Sequence, residues 1–353
     1  MKQILFLTGT RADFGKLKPL ISACENYNIF ATGMHMLDKY GMTCHEITKS
    51  GFKYYPFINQ DKDTPMDIVL SNTIEGLSYY MRENKTDLLV VHGDRVEALA
   101  GAIVGALNNV LVAHIEGGEI SGTIDESIRH AVTKLAHVHF VANADAEKRL
   151  KQMGEDNIFV IGSPDIDVML SDTLPSLEQV KDKYDIRYKD YSICIYHPVT
   201  TEQTDLAIFD AIESSKDNFI VLYPNNDIGA KDILYRIETL EGKNFHILPS
   251  MRFECFLTLL KNAEFIIGNS SAGIREAPVY GVPTIDVGTR QEGRSFVPSI
   301  VNCRTLDEIR HAIKHPPKAV KSFEFGKGDS ARKFKNALPE VWKISPQKRF
   351  IDL

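Results

Sequence analysis

The sequence predicts an α/β protein built from two doubly wound, Rossmann-like domains. Short apolar runs alternate with amphipathic helical segments along most of the chain. The runs are continuously apolar, as expected for strands that a parallel sheet buries on both faces. The alternation stops at a polar stretch, residues 171–190, and then restarts, which indicates a second sheet. The length of 353 residues also suits two domains of about 150 residues each.

The alternating pattern assigns most elements. In the first half the predicted strands are Ile4–Leu7, Ile29–Thr32, Leu88–Val91, Val110–His114, His137–Val141 and Phe159–Ile161, and the helices are Phe14–Ala23, Asp67–Glu83, Val96–Leu107, Ile124–Leu135 and Ala144–Met153. In the second half the strands are Ile193–Tyr196, Phe219–Leu222, Phe245–Leu248, Phe265–Ile267 and Thr284–Val287, with helices at Thr204–Ser214, Ala230–Leu240, Phe253–Lys261 and Gly273–Tyr280. We therefore expect domains at residues 1–170 and 171–335, and a helix at 336–353 that packs back toward the first domain.

Composition excludes several classes of protein. A net charge of −6 without a basic stripe argues against a nucleic-acid partner. No window approaches 18 apolar residues, so we expect no membrane span, and the apolar run at the N-terminus is too short for a signal peptide. The five cysteines are scattered without a C-x-x-C pair, which predicts a cytoplasmic protein without a thiolate metal site.

Functional residues are expected in the loops that follow strands, because ligands bind at the carboxyl ends of open α/β sheets. Two domains facing each other would line a cleft with these loops. The first loop, LTGTRADFG, places Arg11 at the start of a helix, where a guanidinium and free amides can hold phosphate. An ordinary turn with a solvated arginine is equally consistent with this loop, which has neither Walker A nor G-x-G-x-x-G spacing.

The segment VVHGDRVEAL places Asp94 at a strand end, with Arg95 beside it as a candidate substrate contact. Aspartate is common at the N-cap of a helix, and this segment alone favours that structural role. The alternative is a carboxylate directed into the cleft.

The acid-rich segment HIEGGEISGTIDESIRHA follows the next strand. Its T-x-x-E pattern, Thr123 to Glu126, is typical of a capping box and gives Glu126 a structural role. Glu116 and Asp125 have no such role, so they are the candidates for acid–base chemistry. Glu119 is expected to be solvated.

Two loops of the second domain carry further candidates. His197 follows a strand in IYHPVTT, where it is either an ordinary hydrogen-bonded histidine or a catalytic one. Asn225 and Asp227 hold the equivalent position in LYPNND, one strand further along the chain.

The loop IIGNSSAG is the strongest nucleotide-binding candidate. Its small residues allow close backbone approach, and the hydroxyls of Ser270 and Ser271 with helix amides suit a diphosphate. Glu276 could accept ribose hydroxyls, and Arg290 and Arg294 add positive charge. The alternative is a Gly/Ser-rich turn without a ligand.

Taken together, these motifs resemble those of the hydrolysing UDP-N-acetylglucosamine 2-epimerases of sialic acid and related nonulosonate synthesis. The resemblance extends over most of the chain, through GTRADFGKL, HMLDKYG, HGDRVEALA, HIEGGEISGTIDESIRHA, YHPVTTEQ, YPNND and GNSSAGIREAPVYGVPTIDVGTRQEGR. One departure is Gly15, where some members of the family have a hydroxyl residue.

The resemblance implies a glycosyltransferase-B-like fold with the nucleotide held mostly by the C-terminal domain. It implies that UDP and sugar contacts come from Arg11, His35, Arg95, Asn225, Ser270, Ser271, Glu276 and Arg290. It implies that the catalytic residues are Asp94, Glu116, Asp125 and His197. Asp94 and Glu116 are assigned to elimination, and Asp125 with His197 to hydration and leaving-group contact.

The implied reaction converts UDP-N-acetylglucosamine and water to N-acetylmannosamine and UDP through 2-acetamidoglucal. It uses a UDP-sugar substrate and no cofactor or metal, and relatives suggest a homodimer or homotetramer. The motifs are shared with enzymes acting on 2,4-diacetamido trideoxy sugars. A non-hydrolysing epimerase, a glycosyltransferase and a non-enzymatic UDP-sugar sensor are the remaining alternatives.

Overall fold

The structure is a computed structural model that describes residues 2–61, 63–120, 124–199, 205–224, 229–240, 242–291, 297–349 and 351. The chain divides into two compact units. The first comprises Met1–Leu170 and Phe325–Leu353, and the second comprises Ser171–Glu324. Each unit holds one parallel sheet with helices.

The first unit contains seven described strands: β1 Ile4–Thr8, β2 Tyr27–Ala31, β3 Tyr55–Pro56, β4 Leu88–His92, β5 Leu111–Ile115, β6 Val138–Val141 and β7 Ile158–Val160. Its helices are α1 Arg11–Ser22, α2 Cys44–Lys49, α3 Met66–Glu83, α4 Val96–Leu107, α5 Ile124–Leu135, α6 Ala144–Gln152, α7 Pro164–Met169 and, from the end of the chain, α15 Ser330–Val341. The sequence pattern missed β3, α2 and α7, which are too short to show a periodic signal.

Strand β1 shows why the continuous apolar runs predict this sheet. Ile4 and Phe6 belong to one buried cluster, whereas Leu5 and Leu7 belong to another. Because successive side chains of a strand point to opposite faces, helices on both faces bury every residue of the run.

The strand order of the first sheet is β3-β2-β1-β4-β5-β6-β7, with all neighbours parallel. The order reverses direction between β1 and β4. In open α/β sheets the loops diverge at this point and leave a crevice at the carboxyl ends of the two strands. The loops after β1 and β4 therefore face each other across the switch point of this sheet.

Helix α1 begins three residues earlier than its apolar pattern predicts. The Thr10 side chain accepts a hydrogen bond from the Asp13 N–H (3.1 Å), which caps the helix so that Arg11 is its first residue. The polar first turn carries no apolar periodicity, and the cap alone marks this boundary.

The chain returns to the first unit earlier than expected. The second unit ends at residue 324, and residues 325–335, which the sequence pattern placed in the second domain, lie in the first. The amides of Ser330 and Ala331 donate to the two carboxylate oxygens of Asp167 (2.9 and 2.8 Å). Phe334 is fully buried among residues of the first sheet.

The last residues of the chain are held at the amino end of β6. Lys348 donates to the carbonyl of Ala136 (2.8 Å) and pairs with Glu155, whose side chain is fully buried. His139 and Lys134 also contact the Glu155 carboxylate, at 3.1 and 2.8 Å. Although burial alone raises it, these three donors lower the pKa of Glu155 to about 2.

The second unit contains six described strands: β8 Ser192–Ile195, β9 Phe219–Leu222, β10 Phe245–Leu248, β11 Ile266–Gly268, β12 Thr284–Val287 and β13 Ile300–Cys303. Its helices are α8 Leu177–Lys183, α9 Ala207–Ser214, α10 Ala230–Glu238, α11 Phe253–Lys261, α12 Ser271–Arg275, α13 Ala277–Tyr280 and α14 Leu306–Lys314. Their order in the sheet is β10-β9-β8-β11-β12-β13, all parallel, so the switch point lies between β8 and β11.

Two predictions for the second unit were incomplete. Strand β13 and helix α14 extend the sheet beyond the last predicted strand. The single helix predicted over Gly273–Tyr280 is two short helices that meet at Glu276. Pro278 explains the break, because a proline lacks the N–H that a continuous helix needs and clashes with the preceding turn.

Within the described part of the chain, the helices are all too short or too polar to cross a lipid bilayer.

Replacing Phe334 by alanine should destabilise the first unit by about 3–5 kcal/mol, because a fully buried ring is removed from the core. Its ring lies 4.8 Å from that of Phe140 and 6.4 Å from that of Phe6. Urea denaturation with hydrogen exchange of the β1 and β6 amides measures the effect. Phe323→Ala is the control, since that ring is 47% exposed and its loss should change stability by less than about 0.5 kcal/mol. Equal effects of the two substitutions would contradict the packing described.

Replacing Glu155 by glutamine should lower the melting temperature at pH 7. Its pKa of about 2 lies below the ordinary 4.5, so the carboxylate stabilises the fold above pH 4.5 and this contribution disappears as the pH falls toward 2. The difference from the parent chain should therefore shrink below pH 4.5 in thermal scans. Glu340→Gln, which removes an exposed pair with Lys343, should leave the melting temperature nearly unchanged at every pH.

Candidate active site

The predicted residues of the first unit gather at the carboxyl ends of β1, β4 and β5. Glu116 directly follows β5 and is only 3% exposed. Its backbone has φ of 61°, a left-handed conformation that is unfavourable for a residue with a side chain. The Glu116 N–H donates to the Phe140 carbonyl (2.9 Å), and its own carbonyl accepts from Arg129 (2.8 Å), so neighbouring elements hold this conformation.

Three side chains lie within hydrogen-bond distance of the Glu116 carboxylate. Lys16 Nζ lies 2.7 Å from Oε2, His92 Nε2 lies 3.1 Å from the same oxygen, and the Ser163 hydroxyl contacts Oε1. Lys16 also lies 3.5 Å from Asp165, which is buried. A buried carboxylate is stable only with such compensation, and these donors supply it.

Arg129 connects the second carboxylate to the first. From α5 it pairs through Nη2 with Asp94 and through Nη1 with the Glu116 carbonyl. The N-cap position of α4 is occupied by Arg95, so the structural role that the segment favoured for Asp94 is wrong. Asp94 is instead a partly exposed carboxylate, 25% accessible, directed by a nearly buried arginine.

His92, the last residue of β4, links Glu116 to a further carboxylate. Its Nδ1 lies 3.3 Å from Asp13 Oδ1, while Nε2 faces Glu116. Burial lowers the pKa of His92, but the hydrogen bonds to the two carboxylates and the Glu116 charge outweigh this and raise it. Asp13 also accepts the Gly9 N–H (3.2 Å).

The charge of Arg95 interacts both with Asp125 and with Asp13, so Asp125 belongs to the same group of interacting charges. The guanidinium lies 3.2 Å from Glu97, and despite burial the charges of Glu97, Asp13 and Asp125 raise the pKa of Arg95. Asp125 itself is partly exposed on the first turn of α5.

Thr123, one member of the predicted capping box, lies outside the described residues. Glu126, its other member, lies 3.8 Å from His130 one helical turn further on.

Two predicted substrate contacts lie near β1. Arg11 is the half-buried first residue of α1. His35 is fully buried, with Nε2 3.0 Å from the Thr8 hydroxyl and Nδ1 2.9 Å from that of Thr43. Burial lowers the pKa of His35 to about 4, so this imidazole is neutral at pH 7. Its place in a sugar pocket stays a prediction.

In the second unit, the buried amide of Asn269 organises the carboxyl ends of β8 and β11. Its Oδ1 accepts the His197 N–H (2.7 Å), and its Nδ2 donates to the His197 carbonyl (2.8 Å). The Asn269 carbonyl accepts from Arg290 (3.1 Å) and from Gln291 (2.9 Å). One side chain and its own backbone thus hold the predicted histidine and the predicted arginine at one switch point.

The loop around Asn269 is closely packed. Gly268 has φ of 137°, and a Cβ there would lie 1.9 Å from the Ile195 carbonyl oxygen, so only glycine fits. Ser270 caps α12 by accepting the Ala272 N–H (3.3 Å), and Ser271 is the first residue of that helix. These contacts give the loop one conformation.

Of the remaining predicted residues, the structure describes Glu276. Glu276 lies at the junction of α12 and α13, where burial and the Glu276 charge raise the pKa of Tyr280. Asn225, Asp227 and Arg294 lie outside the described residues.

Sequence reasoning missed five residues that the geometry adds: Asp13, Lys16, His92, Arg129 and Asn269. A signal was present for the first two, because residues three apart share one face of α1 next to Arg11. No spacing could indicate His92, Arg129 or Asn269, since their partners are distant in the chain.

Comparison with known proteins identifies the family of this chain. A sequence profile described as UDP-N-acetylglucosamine 2-epimerase matches residues 22–339. The UDP-N-acetylglucosamine 2-epimerase of Neisseria meningitidis serogroup B is 50% identical, with 100% of both chains covered. The UDP-N,N'-diacetylbacillosamine 2-epimerase (hydrolyzing) of Legionella pneumophila is 30% identical, covering 97% of this chain and 96% of that protein.

Solved structures share the fold. A Methanocaldococcus jannaschii UDP-GlcNAc 2-epimerase in complex with UDP-GlcNAc and UDP has a TM-score of 0.78 at 22% identity, covering 96% of this chain and 100% of that one. A Neisseria meningitidis UDP-GlcNAc 2-epimerase bound to UDP-GlcNAc has a TM-score of 0.76 at 17% identity and the same coverage. The predicted class, two Rossmann-like units of glycosyltransferase-B-like type, is confirmed. The family profile and the 50% identical relative show that the chain belongs to the UDP-N-acetylglucosamine 2-epimerase family.

Proposed function

We propose that the protein is a hydrolysing UDP-N-acetylglucosamine 2-epimerase, which converts UDP-N-acetylglucosamine and water to N-acetylmannosamine and UDP. The observation that carries the proposal is the acid–base cluster of the first unit. There Asp94, Asp13 and Glu116 lie among Arg129, Lys16 and His92 at the switch point of the sheet. A glycosyltransferase or a sensor of UDP-sugars has no need of this cluster.

The chemistry needs two opposed proton transfers. The C2 proton of the sugar is only weakly acidic, and departure of UDP from C1 acidifies it by building positive charge. A carboxylate removes that proton to give 2-acetamidoglucal, and water then adds at C1 while a proton returns to the opposite face of C2. Two positioned acid–base groups serve these steps better than one.

The geometry favours separating the two carboxylates that the sequence pattern assigned together to elimination. Asp94 is partly exposed and directed by Arg129, which suits the base that removes the C2 proton. Glu116 is nearly buried and contacts Lys16, His92 and Ser163, which suits the group through which a proton returns to C2. Asp125 and His197 remain our candidates for hydration and leaving-group contact.

The residues proposed to hold UDP are Arg11, Ser270, Ser271, Glu276 and Arg290, with Asn225 close by and with Arg95 and His35 toward the sugar. Hydroxyls and guanidinium groups stabilise the charge that grows on the leaving diphosphate. The contacts of Asn269 support this role, because they keep Arg290 and the Ser270 loop pre-organised.

The choice of sugar rests on similarity. The 50% identical relative is named for UDP-N-acetylglucosamine, and the 30% identical one for a diacetylated sugar. The resemblance of HIEGGEISGT and YHPVTT to hydrolysing enzymes supports release of the sugar. We further propose a cytoplasmic homodimer or homotetramer that initiates sialic acid synthesis. The five free cysteines are consistent with a reducing compartment.

Incubation with UDP-N-acetylglucosamine in deuterium oxide should release UDP and N-acetylmannosamine with one deuterium at C2, because the returning proton comes from solvent. NMR of the products measures both outcomes. A C2 without deuterium contradicts the elimination and hydration route. A product still attached to UDP indicates the non-hydrolysing reaction, and turnover only with the 2,4-diacetamido trideoxy analogue indicates the alternative substrate.

Asp125→Asn and Glu126→Gln form a matched pair of neutralising substitutions on one helix turn. Asp125 lies within the field of Arg95, so its loss should lower kcat by about 100-fold, as expected for an acid–base group. Glu126 is assigned a structural role, and its substitution should leave kcat near that of the parent chain. UDP release kinetics measure kcat, and thermal scans verify folding. The reverse pattern, with Glu126→Gln inactive but stable, contradicts the assignment.

A further inference from the structure

Asp13 in α1, His92 at the end of β4 and Glu116 after β5 form a continuous array of hydrogen-bonding groups. Asp13 Oδ1 lies 3.3 Å from His92 Nδ1, and His92 Nε2 lies 3.1 Å from Glu116 Oε2. The side chains are 13%, 10% and 3% exposed, so bulk water has little access to either contact. Of these three residues, only Glu116 has a part in the proposed reaction so far.

Two ionised carboxylates and a neutral imidazole hold one proton too few for both contacts to be hydrogen bonds. Ionised carboxylates only accept hydrogen bonds, and a neutral imidazole has a single N–H. Both contacts of His92 can therefore be hydrogen bonds only if the ring carries two protons or one carboxyl group carries the extra one. With either arrangement, a proton is stored inside the first unit.

Asp13 is the member of this hydrogen-bonded array whose protonation state does not change. Although burial raises the pKa of this carboxyl, the His92 hydrogen bond and charge, the Arg95 charge and the Gly9 N–H together lower it. Asp13 therefore stays ionised and orients the Nδ1–H of the ring. The stored proton then lies in the contact between His92 and Glu116.

We propose that His92 is a positioning residue that stores this proton for Glu116, held in place by Asp13. The inference rests on the proposed function, in which Glu116 returns a proton to the sugar. As the C1–C2 π electrons form the new C2–H bond, the stored proton passes from His92 Nε2 through the Glu116 carboxylate to C2, which leaves the ring neutral. The water that adds at C1 releases one proton, which refills the pair, so the cycle balances.

Several charged or titratable groups surround His92. Asp13 and Lys16 face it from α1 and Glu116 from the loop after β5, Arg95 at the start of α4 acts on Asp13, and the neutral His114 lies on β5. The carboxylates favour the protonated ring, whereas Lys16 opposes it. The net effect raises the pKa of His92 above its ordinary value of 6.5.

His114, on the neighbouring strand β5, provides an internal comparison, because its pKa is shifted in the opposite direction. Its Nε2 lies 2.8 Å from the Gly93 carbonyl and its Nδ1 3.1 Å from the Thr133 hydroxyl. Burial lowers the pKa of His114 to about 3, so this ring is neutral at pH 7. Two buried histidines of one unit should therefore differ in charge.

The first experiment needs no substrate. Ring nitrogens of the histidine-labelled parent chain are observed by ¹⁵N NMR against pH, and His92 is assigned by its absence in His92→Gln. We expect both His92 nitrogens to be protonated at pH 7 and His114 to be neutral. A neutral His92 at pH 7, with Glu116 ionised, overturns the proposal. This outcome is independent of which UDP-sugar, if any, the enzyme converts.

The second experiment compares two substitutions. The amide nitrogen of His92→Gln can replace Nε2 as a donor to Glu116, and that of His92→Asn can replace Nδ1 as a donor to Asp13, but neither side chain stores a proton. Both should lower the rate of N-acetylmannosamine formation by about 100-fold, as loss of an acid–base function does. UDP release with free 2-acetamidoglucal should become a larger share of turnover, because elimination needs no stored proton.

The pH profile gives the third measurement. Because the His92 pKa is raised, the ring should hold its second proton to higher pH than an ordinary histidine and lose it as the pH rises through that pKa, so kcat should fall on the alkaline side. This alkaline fall should be absent in His92→Gln. A purely structural histidine predicts that His92→Gln restores the parent rate, product ratio and pH profile, and that result overturns the proposal. Thermal scans and UDP affinity verify that each variant is folded.

Discussion

The first unit depends on one constraint, which is that a buried carboxylate must be compensated by donors. Transferring the Glu116 side chain out of water costs on the order of several kcal/mol unless it is paired. Lys16, His92 and Ser163 provide the compensation from α1, β4 and the start of α7. Each partner comes from a different element, so satisfying one charge fixes the relative positions of α1, the end of β4 and the start of α7.

In both units the candidate residues lie at the switch point of the sheet. In each sheet the strand order reverses once, between β1 and β4 in the first and between β8 and β11 in the second. The candidate residues follow these strands because the loops diverge there. The residues that hold the candidate groups in place differ chemically. An arginine and a histidine contact carboxylates in the first unit, whereas the neutral amide of Asn269 contacts backbone groups in the second.

A second buried carboxylate shows that burial alone does not make a functional group. Glu155 is as enclosed as Glu116 and is also paired with a histidine and lysines. It lies after α6, at the amino end of the sheet, and holds the end of the chain in place. A cavity of about 670 Å³ beside it is lined by tail residues and none of the candidate residues. Position relative to the strand ends, rather than charge, separates the two roles.

The sequence by itself determined the two-sheet fold and most of its elements. Continuous apolar runs can be buried only between helices on both faces of a parallel sheet, and β9, β10, β12, α4, α5 and α11 have the predicted bounds. It also predicted which loops carry the candidate residues, because those loops follow strands. Motif resemblance then indicated the family, which similarity to known proteins confirmed.

Only the tertiary structure decided how the carboxylates differ. Asp94 is a residue type common at N-caps and lies next to a helix start. Its carboxylate instead pairs with Arg129, 35 positions further along the chain. The partners of Glu116 lie 100, 24 and 47 positions away, and no local pattern encodes such contacts. The tertiary structure likewise decided that the return to the first unit begins at Phe325 rather than at residue 336, because Phe334 fits the core of that unit. Periodicity reports which side chains are buried, whereas protonation states depend on neighbours that only folding brings together.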